Sequence, residues 1–244
     1  MQIIARKSNL YNNREFMERI LQEIDAVQGI MLDVVMTKDK KILVFSPVTS
    51  NQTTINTIQN SDLAEISFLD VFLLEDALKM NLSGQQKFIL NLLPLNEAVL
   101  IQNLPKMVEE NQEYVRVVLD IIKQYPMLNI SLCSPSYNLL YAMKRLITER
   151  KLGVVLDINN STYIDVDFYI FSVEMLDQKI FQEQLALGKE VMLSLDSGDE
   201  ITRFLFSIRD QKIPLELLEQ IQYISSYPAI LYMIFENDYF KRDK

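Results

Sequence analysis

The apolar run "GIMLDVV" carries one carboxylate, Asp33, toward the polar turn and second apolar run of "MTKDKKILVFSP". A carboxylate held in such a strand can ligate a divalent cation, move a proton or pair with a buried cation, and its partners decide which. Partner types are few. The chain has no histidine, which excludes a Ser-His-Asp triad, imidazole acid–base chemistry and a His-ligated metal. Its one cysteine, Cys133, excludes an intramolecular disulfide and a Cys-based zinc cluster. Within "NISLCSP" that thiol belongs to a buried strand, with no histidine to activate it. Ser134 and Ser136 in "SPSYN" lack a base for nucleophilic work and suit a helix cap instead. Asp39 belongs to a surface turn. In "LSLDSGDE", Asp196 and Asp199 shape a loop and cap the next helix, with Gly198 easing the turn. Five glycines occur, without a GxGxxG or P-loop pattern, so anion binding by that route is ruled out.

These residues need a frame, and the hydropathy pattern supplies one. "QIIA", "GIMLDVV", "KILVF", "KFILNLL", "LNISLC", "GVVLDI", "FYIFSV", "EVMLSL" and "YISS" are short runs suited to strands. Most lack alternation, as parallel strands covered on both faces do. Helical stripes lie between them: Phe16, Ile20, Leu21, Ile24 and Val27; Leu139, Leu140, Met143, Leu146 and Ile147; Leu176, Ile180, Phe181 and Leu185; Ile201, Phe204, Leu205 and Ile208. Core packing accounts for all of them. The stretch from Leu95 to Tyr125 is the most ambiguous, and the length and polar spacing of "EYVRVVLDIIKQY" favour a helix. With "KILVF" as a hairpin extension of the second strand, eight strands remain. The pattern therefore predicts an α/β protein of one domain, residues 1–244, closed as a (β/α)8 TIM barrel.

A net charge of −9 argues against nucleic acid or an anionic membrane surface as the main partner, and solubility explains it. The apolar start of "MQIIARKSN" is too short for a signal peptide. No run reaches the ~18 apolar residues of a membrane span, so the expected location is cytoplasmic.

In order along the chain, these segments resemble the glycerophosphodiester phosphodiesterase family. "IIARKSN" is similar to that family's opening strand, which ends in His-Arg-Gly. "GIMLDVVMTKDKKILVF" resembles its Gly-Ile-Glu-Leu-Asp-Val and Thr-Lys-Asp-Gly strand and turn. "SNQTT", "LLEDAL", "KEVMLSLDS" and "YISSYPAIL" follow at the places of its Arg-Thr-Thr turn, Leu-Glu-Glu-Val-Leu helix start, Val-Trp-Thr-Val-Asn strand and Ile-Thr-Asp-Tyr-Pro end. The resemblance implies a TIM barrel of the phosphatidylinositol-phosphodiesterase-like type and a phosphoric diester hydrolase of lipid and glycerophosphodiester metabolism.

It also implies a site whose chemistry is missing here. The family's two acid–base histidines fall on Arg6 and Ser46. Its three metal carboxylates fall on Met31, Asp33 and Asn91, so Asp33 alone is retained. The arginine of the first motif falls on Lys7, the aspartate of the second on Pro47, the seventh-strand aromatic on Leu193, and a Thr-Asp pair on Ser225 and Ser226. Met31 shares a strand face with Asp33 but offers a thioether, a poor ligand for calcium or magnesium. No cofactor is expected; Mg or Ca would matter only if catalysis survives. Arg6 and Lys7 at the end of the first strand have three readings: a structural pair with Asp33, a pocket for a small anionic ligand such as a phosphate ester, or solvated loop residues. The favoured reading is a non-catalytic binding or interaction protein, its ligand contacts made by Arg6, Lys7, Asp33 and Asn91, or its partner a protein. The alternative is a phosphoric diester hydrolase with weak or relocated chemistry built on Asp33, Lys7 or a tyrosine.

Overall fold

The structure, a computed structural model, describes residues 2–6, 27–45, 52–66, 72–80, 87–95, 104–210 and 215–236. β1 (Gln2–Arg6), β2 (Val27–Met36), β5 (Lys87–Leu92), β6 (Asn129–Ser134), β7 (Leu152–Leu156), β8 (Phe168–Ser172), β9 (Glu190–Ser194) and β10 (Ile221–Ser225) pair in that order, all parallel. β1 also pairs with β10, which closes the ring. β3 (Ile42–Phe45) folds back antiparallel on β2, and β4 (Phe72–Leu73) adds to it. The turn between β2 and β3 holds Lys40 at φ 61°, the left-handed conformation for which the resembling family writes glycine.

Around the strands lie α1 (Gln52–Gln59), α2 (Leu74–Met80), α3 (Leu104–Ile122), α4 (Tyr137–Leu146), α5 (Lys179–Ala186), α6 (Gly198–Arg209), α7 (Leu215–Leu218) and α8 (Pro228–Glu236). The ambiguous stretch before Tyr125 is helix α3, with Tyr114, Val115, Val118 and Ile122 on its buried face. The stripes at 139–147, 176–185 and 201–208 fall on α4, on α5 with the short 3-10 turn before it, and on α6. Of the first stripe, Phe16, Ile20, Leu21 and Ile24 lie outside the described residues, and Val27 belongs to β2, opposite Ile3.

Among the described residues the strand–helix alternation breaks once. Residues 157–167, between β7 and β8, form a loop. Asp157 Oδ1 accepts from the amides of Asn159 and Asn160, and the Asn160 side chain donates to the Pro135 carbonyl. These local bonds turn the chain where a helix would otherwise start. Among the described residues no helix is long and apolar enough to cross a membrane.

Alternation along each strand sorts the side chains. Ile3, Ile30, Leu32, Leu90, Leu132, Val154 and Phe171 face the helices in the main core. Ile4, Met31, Ile89, Cys133, Phe168, Ile170, Met192 and Ile224 fill the barrel's interior. At the N-terminal end Lys87 and Lys151 clamp Glu190 at 2.5 and 2.7 Å, with the Gln222 amide donating to it at 3.0 Å. The other end is the mouth.

Candidate functional site

β1 ends with Arg6 beside Met31 of β2, and Asp33 lies two residues further up β2, in register with Asn91 of β5. Asp33 is 1% exposed. The Arg6 guanidinium meets it edge on: Nε donates to Oδ2 at 3.0 Å and Nη2 to Oδ1 at 2.9 Å. Such a two-bonded fork is the strongest geometry open to this pair. The Asn91 amide adds a third bond, Nδ2 to Asp33 Oδ1 at 2.5 Å, and its own oxygen faces the Cys133 thiol at 3.7 Å.

Arg6 has a second carboxylate partner. Its Nη1 donates to Asp196 Oδ2 at 2.6 Å, just beyond β9. The hydroxyls of Ser194 and Ser226 also donate to Asp196, at 2.7 and 3.3 Å. Arg6 and Asp196 side chains are 14% and 19% exposed. Burial alone would lower the arginine's pKa, but Asp33 and Asp196 outweigh it, so the guanidinium is held charged. Burial, helped by the charge of Asp33, pushes the Cys133 thiol up and keeps it a thiol. Three buried tyrosines are committed elsewhere: Tyr114, Tyr169 and Tyr223 donate to the carbonyls of Val34, Ile164 and Leu218.

Of the residues expected here, Arg6, Asp33 and Asn91 come together, while Lys7, Ser46 and Pro47 lie outside the described residues. Asp196 is the residue that sequence reasoning misassigned. It is no helix cap; Ser197 caps α6, its hydroxyl accepting from the Glu200 amide, and Glu200 accepts in return from the amides of Asp196 and Ser197. Two-residue alternation from Met192 through Ser194 was the available signal, since it aims Asp196 at the mouth. Gly198 does not take the positive φ that Gly188 takes, and nothing lies within 4 Å of where its Cβ would stand. Leu193 faces the helices in the main core and takes no part in the mouth. Ser225 donates to the Leu195 carbonyl, so only Ser226 of that pair reaches the site.

The resemblance implies a divalent cation at this mouth, and the donors present do not fit one. Both Asp33 oxygens already accept from a cation or an amide, Met31 is packed into the apolar interior, and Asn91 turns its NH2 group toward Asp33. Among the described residues no group of three or more His, Cys, Asp or Glu could hold a metal ion. A dication would have to displace Arg6 first.

No protein-family model matches the chain, and no curated protein does. Solved structures do match. A glycerophosphodiester phosphodiesterase from Parabacteroides distasonis is 14% identical over 96% of both chains, with a TM-score of 0.69. An Oleispira antarctica phosphodiesterase, in complex with the product sn-glycerol-3-phosphate, is 16% identical over 97% of both, also at 0.69. A glycerophosphodiester phosphodiesterase from Agrobacterium tumefaciens is 14% identical over 93% of this chain and 97% of that one, at 0.58. The barrel of this chain is thus the fold of those enzymes, including the closed parallel ring.

Proposed function

We propose that this chain is a glycerophosphodiester phosphodiesterase-like barrel without the family's hydrolytic chemistry, acting in the cytoplasm as a non-catalytic binding or interaction protein. One observation carries the reading: the Arg6 guanidinium lies in a two-bonded fork on Asp33 and reaches Asp196 as well. A guanidinium does not give up its proton at any working pH, so it cannot replace an acid–base histidine. Losing such a group typically slows a reaction ~10²–10⁴-fold. The same arginine supplies, from within the chain, the positive charge that Asp33 would otherwise take from a metal. A ligand entering the mouth would meet Arg6, with Asp33 and Asn91 buried beneath it, and would find that guanidinium already balanced by two carboxylates.

The test is a direct assay. Purified protein is incubated with glycerophosphocholine and with bis-p-nitrophenyl phosphate, each with magnesium or calcium. The expected result is no hydrolysis above buffer and no rise in melting temperature with either cation. Hydrolysis that Asp33→Ala abolishes would overturn the reading and place the chain with the phosphoric diester hydrolases of weak or relocated chemistry.

A further inference from the structure

Outside the barrel, the β2–β3 hairpin, the start of α2 and the last turns of α3 surround a cavity of about 260 Å³. Pockets for drug-sized ligands hold ~300–1,000 Å³, so this one suits a smaller molecule. Ile42 and Ile121, both buried, and Leu73 and Val117, both half-buried, give it an apolar floor. Charged side chains stand around that floor: Lys40 and Lys41 from the hairpin, Glu75 from α2 and Asp120 from α3. Two of the four are committed elsewhere, Lys40 to Glu113 and Asp120 to Lys123. Lys41, exposed, and Glu75, partly exposed, form no ion pair among the described residues. Asp39 and Lys79, close to them in sequence, have other partners: Asp39 accepts from the Thr37 hydroxyl and the Leu63 amide, and Lys79 pairs with Asp76. β3 and β4 set Leu43 against Leu73 and Val44 against Phe72, and continuing that antiparallel register brings Lys41 level with Glu75. Two opposite charges thus line one cavity from two sides without meeting.

We propose that this cavity binds a free α-amino acid with an apolar side chain. Its ammonium pairs with Glu75 and its carboxylate with Lys41, while the side chain covers the floor of Ile42, Leu73, Val117 and Ile121. The two uncommitted charges select a zwitterion, since a simple anion would leave Glu75 unpaired beside it and a simple cation would do the same to Lys41. The floor selects among zwitterions. In an α-amino acid both charges sit at one end, at the charged rim, and the side chain is free to reach the apolar surface. The site lies on the outer ring and does not depend on whether the mouth hydrolyses anything.

An NMR titration of the ¹⁵N-labelled full chain with L-leucine tests it. Saturable shifts are expected in amides of the β2–β3 hairpin, the start of α2 and the end of α3. Glycine, which has no side chain for the floor, should bind at least about tenfold more weakly. N-acetyl-leucine, without the ammonium, and leucinamide, without the carboxylate, should each bind about two- to fivefold more weakly, the range of an exposed ion pair. Two surface changes assign the ends. Glu75→Gln should weaken leucine and leucinamide but not N-acetyl-leucine, and Lys41→Gln should weaken leucine and N-acetyl-leucine but not leucinamide. Absent shifts, shifts confined to the barrel mouth, equal affinity for glycine, or variants that weaken all the ligands alike would overturn the proposal.

Discussion

Arg6 has two carboxylate partners and Asp33 has one cationic partner, and the asymmetry predicts unequal consequences. Replacing Arg6 by methionine leaves Asp33, almost fully buried, with only the Asn91 amide, and leaves Asp196 with serine hydroxyls. Breaking a buried pair from one side costs about 3–5 kcal/mol, because the remaining charge is left desolvated. Asp33→Asn should cost less, since Arg6 keeps Asp196. The double change Arg6→Met with Asp33→Asn should cost less than the sum, because it removes both buried charges together. Urea unfolding of the three variants measures this. A sum equal to the parts would mean that the two side chains do not interact.

At the scale of the element, two glutamates at opposite ends of the barrel should respond to pH with opposite sign. Glu200 caps α6, and burial pushes its carboxyl above the ordinary 4.5, against the amide bonds from Asp196 and Ser197. The folded state then binds the proton more tightly than the unfolded chain. Its contribution is greatest below the ordinary value and is lost as pH rises through the raised one. Glu190 ties β9 to β5 and to Lys151, the residue before β7. Burial pushes it up as well, but Lys151 and Lys87 overcome that and hold its pKa below 4.5. Its contribution is present above 4.5 and is lost as pH falls through the lowered value. Relative to the parent, Glu200→Gln should therefore gain stability as pH rises from below 4.5 to neutrality, whereas Glu190→Gln should lose it over the same range. Urea midpoints across that range decide, and parallel profiles would refute the pair of assignments.

Across the whole molecule, closure of the ring depends on what fills its interior. Phe168 lies across Gly153, where an added Cβ would fall 2.1 Å from the ring. Gly153→Ala should cost about 1–3 kcal/mol by overpacking, and Phe168→Leu in the same chain should recover part of it. A neutral Gly153→Ala in thermal unfolding would show that the ring can move aside. The residue pattern alone determined the barrel, because apolar runs too short for helices, eight of them covered on both faces, have few ways to bury themselves other than a closed parallel sheet. It also determined what the mouth lacks: a chain without histidine cannot supply imidazole, whatever its fold. Local pattern did not reveal the loop in place of a helix after β7, where side-chain bonds from Asp157 and Asn160 override the alternation. Nor did it reveal the role of Asp196. Its carboxylate lies 190 positions from Arg6 along the chain, and a contact at that separation exists only once the ring has closed and brought the ends of β1, β2 and β9 to one mouth. Tertiary structure decided that Asp33 is neutralised by an arginine of its own chain, because only the closed barrel sets a guanidinium between two carboxylates.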